Sequence, residues 1–170
     1  MARAHPGTAK RLDQPCSRAS ATRRIRKHLF LTGSQLYQQL NRNLDTISVA
    51  AISDAPAALT VGSPGALTVA SAAGPPITLT IVPTTEAGAA DVPVIYAVEP
   101  LSAGRIFVGG KATVLSVLAA AAASPYDIAA AYAAKYGALA AGQNINVGVA
   151  FINNTTGAAS LRSTGQVFAG

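Results

Sequence analysis

The sequence predicts a mainly β protein, an antiparallel β-sandwich with one short inserted helix, preceded by an amphipathic helix and a basic N-terminal arm. Three observations lead there. After residue 57, short runs rich in Val, Ile, Leu and Thr are punctuated by Gly- and Pro-containing turns, the rhythm of a sandwich or barrel and not of alternating strand–helix units. Only 12% of the 170 residues are charged, against roughly 25% in an average soluble domain, which excludes a coiled coil and an acidic disordered chain. The length suits one domain plus an appendage, so a two-domain enzyme is excluded.

Charge divides the chain. Residues 1–30 carry eight basic side chains against Asp13 alone, a net +7, while the remaining 140 residues carry five basic and six acidic ones, a net −1. Pro, Gly, Ser and Thr mix with those basic residues without hydrophobic periodicity, so residues 1–28 are expected to lack structure in isolation and to order on a partner. The arm is not expected to be a secretion signal, since its basic residues extend to Lys27 and the only apolar run after them is Leu29-Phe30-Leu31. No transmembrane helix is expected either: the run Ala112–Ala123 is 12 residues long and is interrupted by Thr113 and Ser116, against the roughly 20 needed. Cys16 is the sole cysteine and cannot form an internal disulfide.

Leu36, Tyr37, Leu40, Leu44 and Ile47 recur at spacings of three and four, which predicts a one-faced helix over about 34–46, capped by Ser34 or Thr32. Its polar face is mostly Gln and Asn, unlike the cationic face of a membrane-surface helix, so its stripe is expected to dock on protein. Residues 48–57 read as a linker. Strands follow at Ala58–Val61, Ala66–Ser71, Ile77–Pro83, Val92–Val98, Arg105–Val108 and Thr113–Leu118. Ser124-Pro125-Tyr126-Asp127 then supplies an N-cap, a proline at the first helical position and an acid at the helix start. With Ile128, Tyr132 and Tyr136 on one stripe and Gly137 as stop, a helix is predicted over about 125–136. Ile145, Val147, Val149 and Phe151 alternate toward a turn at Asn153–Gly157, and either Ala158–Leu161 or Thr164–Phe168 returns. Gly157 supplies the positive φ that such a turn needs. The expected divisions are thus 1–30 (arm), 31–57 (helix and linker) and 58–170 (sandwich).

The stretch Ile145 to Ser160, an alternating strand followed by Asn, Gly and Ser in the last turn, resembles the end of a fibronectin type III or related immunoglobulin-like module. That resemblance implies an immunoglobulin-like sandwich. The chain differs from the family in having no Trp and in carrying Ile145 where the family places a Tyr. The wider layout, a basic arm, the segment Leu31 to Leu44 and a low-charge Ala/Gly/Thr/Val-rich β module, is similar to small structural proteins of bacteriophages. It implies a virion component, a decoration or minor capsid protein.

Catalytic chemistry is not expected. His5 and His28, the only histidines, lie in the arm, where neither can be held as a general base. Asp91 and Glu99 read as solvated loop acids, and Gly109-Gly110-Lys111 reads as a hairpin turn, since it lacks the spaced glycines of a phosphate loop. No metal or other cofactor is expected, because Cys16, His5 and His28 lack ligand spacing and the body's acids are scattered. Asn153 and Asn154 fit the glycosylation pattern, although turn chemistry explains both. Tyr126, Tyr132 and Tyr136 read as core packing in preference to a sugar-stacking platform.

The expected function is therefore non-enzymatic assembly within a virion, with extracellular or cell-surface placement as the alternative. Partner contact is assigned to Arg18, Arg23, Arg24, Arg26 and Lys27 in the arm and to Leu36, Tyr37, Leu40 and Leu44 on the helix. The partners are other virion proteins in many copies, without a membrane or a small-molecule substrate. A carbohydrate- or surface-binding module and a non-specific nucleic-acid contact through the arm remain the alternatives.

Overall fold

The computed structural model describes residues 32–72, 78–102 and 112–170. Within the compact unit Leu31–Gly170, helix α1 (Gly33–Thr46) is followed by strands β1 (Leu67–Ala72), β2 (Thr78–Pro83), β3 (Asp91–Ala97), β4 (Thr113–Val117) and β5 (Tyr126–Asp127). Helix α2 (Ala129–Tyr136) and strands β6 (Asn144–Asn153) and β7 (Ser163–Phe168) complete it. The strands form two antiparallel sheets, β1-β2-β5 and β4-β3-β6-β7, so the sandwich expected from the sequence is present. The expected strand at Arg105–Val108 and the Gly109–Lys111 turn lie outside the described residues.

Sequence alternation builds the core. On β3, Ile95 and Ala97 point inward; on β6, Ile145, Val147, Val149 and Phe151 do; Leu79 and Ile81 of β2 meet them from the other sheet. Pro93 is tolerated in a central strand because its carbonyl, and hence its missing N–H, faces the end of β4, where Leu118 N–H donates to Pro93 O at 3.0 Å. Leu115 is the extra residue of a bulge on β4, since Tyr96 pairs with Val114 and Ile95 with Ser116. Gly165 brings β7 up to β1: a Cβ there would lie 2.6 Å from Val69 Cγ2.

Helix α1 starts at a capping box, in which the Thr32 hydroxyl accepts from Gln35 N–H while the Gln35 side chain accepts from Thr32 N–H. Its stripe docks on the outer face of the four-stranded sheet, where Leu44 and Ile47 pack with Val92, Val94 and Ile152. Burying several such side chains contributes roughly 1.5–3 kcal/mol each.

Two expected elements differ. Ala58–Val61 forms no strand; Val61 packs at the core margin as irregular chain. The helix predicted from 125 begins only at Ala129, because Tyr126 and Asp127 pair with Ile81 and Thr80 as β5. The reason is a competing period: Tyr126 and Ile128 are both buried, and a two-residue repeat reaches the core from there while a helical one would turn Tyr126 away. Ser124 accordingly does not cap the helix, and its hydroxyl donates to Glu86 Oε1 at 3.0 Å. The helix start is held by Asp127 Oδ1, which accepts from Ala129 N–H. Between the two strands offered as the return of the last hairpin, the sheet selects residues 163–168; Ala159 makes only an isolated bridge with Ile152.

Candidate functional site

The outward-facing residues of β3, β6 and β7 make one continuous face, and α1 covers only part of it. At the covered end stand Val92, Val94 and Ile152. Toward the other end, strand register sets Tyr96 opposite Gly148, Gly148 opposite Thr164, and Asn146 opposite Gln166. These residues, with Arg162 just before β7 and Val98 and Ala112 at one rim, line an open cavity of about 460 Å³.

Its central feature is an arginine laid across a strand. The Arg162 guanidinium carbon lies 5.0 Å from the centre of the Tyr96 ring, although Tyr96 belongs to β3 and Arg162 adjoins β7, with β6 between them. The crossing is possible because β6 carries Gly148 at that point: a Cβ there would come within 2.9 Å of Arg162 Cδ and 3.1 Å of the Ser163 carbonyl. A guanidinium over an aromatic face is attracted by the ring's quadrupole, which favours this placement of the arginine across β6. Among the described residues, no acidic side chain lines the cavity. In its wall the Asn146 side-chain nitrogen is buried without a hydrogen-bond partner among the described residues, an arrangement that costs stability until an acceptor is supplied.

The sequence-predicted site residues are distributed otherwise. Arg18, Arg23, Arg24, Arg26 and Lys27 lie outside the described residues. Leu40 and Leu44 are buried within the chain, Leu36 is half-buried, and Tyr37 is exposed with its hydroxyl donating to the Ile52 carbonyl. Leu36 and Leu40 line a smaller groove of about 210 Å³ together with Leu59 and Ala158.

The tyrosines pack in the core. Tyr126 and Tyr132 are buried, Tyr132 donates to the Val98 carbonyl at 2.8 Å and Tyr136 to that of Ala97 at 3.0 Å, so no exposed aromatic platform stands there. Burial pushes both Tyr126 and Tyr132 above the ordinary phenol value, with Glu86 adding to the first and Tyr136 to the second. Asp91 is not a solvated loop acid: it is buried in β3 and accepts from Gly62 N–H at 3.0 Å, whereas Glu99 is exposed. Asn153 Oδ1 accepts from Thr155 and Thr156 N–H, each at 3.0 Å, which is the turn chemistry expected of it.

Sequence reasoning passed over Tyr96, Gly148 and Arg162. The available signal was the polar alternation Asn146, Gly148 and Arg162, Thr164, Gln166, which marks the outer positions of two neighbouring strands. Among the described residues, no three His, Cys, Asp or Glu gather as metal ligands, and no helix is long and apolar enough to cross a membrane. No protein-family model, curated protein or solved structure matches the chain, so the two-sheet antiparallel sandwich rests on its own strand pairing.

Proposed function

We propose that this chain is a non-enzymatic assembly protein, a bacteriophage virion component of the decoration or minor capsid kind, attached to neighbouring virion proteins through its basic N-terminal segment. The observation that carries the reading is the partition of charge, +7 in residues 1–30 against −1 in the rest. A near-neutral body and a dense cationic segment are suited to different tasks: the body presents a rigid surface, while the segment satisfies acidic or phosphate groups on a partner. The docking of Leu40 and Leu44 inside the chain supports the same division, since it leaves attachment to the arm and the exposed surfaces. Three strands in the order β1-β2-β5 facing four in the order β4-β3-β6-β7 also favour a fibronectin type III or immunoglobulin-like module.

The test is removal of residues 1–28. The truncated chain is expected to keep a β-dominated circular dichroism spectrum and its melting temperature, and to stop co-sedimenting with virion particles from the source lysate. Attachment of the full chain should weaken as salt rises from about 0.05 to 0.5 M, because the Debye length shrinks to a few Å. Attachment that survives both treatments overturns the assignment to the arm. Affinity for naked DNA with none for particles replaces it with nucleic-acid contact.

A further inference from the structure

We propose that the cavity on the open part of the four-stranded sheet binds an acidic sugar, its carboxylate held by Arg162 and its hydroxyl groups by Asn146, Thr164 and Gln166. Three observations converge on that chemistry. First, the Arg162 guanidinium carbon lies over the Tyr96 ring, 5.0 Å from its centre, and a planar carboxylate is the group that an arginine's fork of donors meets with two parallel hydrogen bonds. Second, no acidic side chain among the described residues lines the cavity, so none of them neutralises the positive charge in the site. Third, the remaining polar wall formed by the described residues is neutral: two amides and a hydroxyl, which together donate and accept, as a sugar's hydroxyls also do. The Asn146 nitrogen, buried and unpaired among the described residues, gains an acceptor when the site fills.

Competing ligands fit less well. A phosphate site is ordinarily built from several cations or from free backbone N–H groups, whereas here, among the described residues, one arginine stands over a sheet whose β6 backbone is paired on both sides. At about 460 Å³ the cavity is of small-molecule size. None of the residues from which the site is argued lies in 1–30, so this inference stands apart from the attachment reading.

The experiment is a titration of the full-length chain with glucuronate, followed by backbone amide shifts and by calorimetry, with glucose, acetate, N-acetylaspartate and inorganic phosphate as comparison probes. Saturable binding of glucuronate is expected, with shifts at Tyr96, Asn146, Gly148, Thr164 and Gln166 and with each comparison probe at least about tenfold weaker. Arg162→Gln should weaken glucuronate about tenfold or more, and Arg162→Lys should fail to restore it, since a point charge does not reproduce the fork. Arg162 is exposed, so both variants are expected to melt as the wild type does. Gly148→Ala, which pushes the arginine off the tyrosine ring, should weaken binding as well. Absence of shifts at these residues, unchanged affinity in Arg162→Gln, or loss of binding on removing residues 1–28 overturns the proposal. Equal binding of acetate, phosphate or N-acetylaspartate also overturns it, leaving a general anion contact only.

Discussion

Replacing Gly157 by alanine tests how helix and sandwich are joined. Gly157 closes the turn after β6 with φ +72°, a region in which an L side chain costs about 1–2 kcal/mol. It also lies directly beneath α1: a Cβ at this position would collide with the Leu40 carbonyl oxygen and come within 2.8 Å of its carbon. Those atoms are helix backbone and cannot rotate aside, so the turn or α1 must move. Moving either weakens the bond from Asn43 Nδ2 to the Gly157 carbonyl, now 2.8 Å, worth about 1 kcal/mol. The sum is about 3 kcal/mol, and for a body of this length it lowers the melting temperature by roughly 10 °C. Gly65→Ala is the control. Its φ of +65° is nearly the same, but the Cβ there would meet the Thr84 hydroxyl, a side-chain group that can turn away at the loss of its own hydrogen bonds. Thermal melts of both variants and the wild type, at one protein concentration, separate the two contributions. If Gly157→Ala melts no lower than Gly65→Ala, the close seating of α1 on the turn is refuted.

Other consequences can be measured on the same protein. Leu44 is fully buried, so Leu44→Ala should cost roughly 2–5 kcal/mol in urea unfolding, while Leu161→Ala, at a side chain 89% exposed, should stay within about 0.5 kcal/mol of wild type. Stability should be lost as pH rises past about 10: burial raises the Tyr132 phenol above its ordinary value, so the unfolded chain releases its proton first and ionisation draws the equilibrium toward unfolding. Tyr132→Phe should flatten that alkaline decline and, at neutral pH, cost about 1–3 kcal/mol through the unpaired Val98 carbonyl.

Most strands were legible because their alternation is imposed by burial on one face. Ile145, Val147, Val149 and Phe151 point inward at every second position, and no other register would hide them. The stripe on α1 was legible for the same reason at a helical period, and of the two caps offered, Ser34 and Thr32, the helix uses Thr32. At Ser124–Asp127 two local codes coincide. The residues read as a helix start, yet Tyr126 and Ile128 satisfy a two-residue repeat as well, and pairing with β2 decides between them. Local capping is worth about 1 kcal/mol, and two buried side chains outweigh it.

The candidate cavity was hidden for a different reason. Its residues come from β3, β6, β7 and the approach to β7, and they become neighbours only through the pairings Tyr96 with Gly148 and Gly148 with Thr164. What lets them meet is the absence of a side chain: Gly148 leaves room for Arg162 to cross β6. Gly157 plays the corresponding part at the other end, where the missing Cβ admits the backbone of α1. A helical stripe or an alternating strand announces itself by the residues it contains, whereas a close approach depends on an empty position whose neighbours lie far away in sequence. The covered and open parts of this sheet face therefore share one device. Adding a methyl group at position 157 should disturb the helix that covers the face, and at position 148 the arginine that borders the cavity, so the two substitutions separate what holds the body together from what it binds.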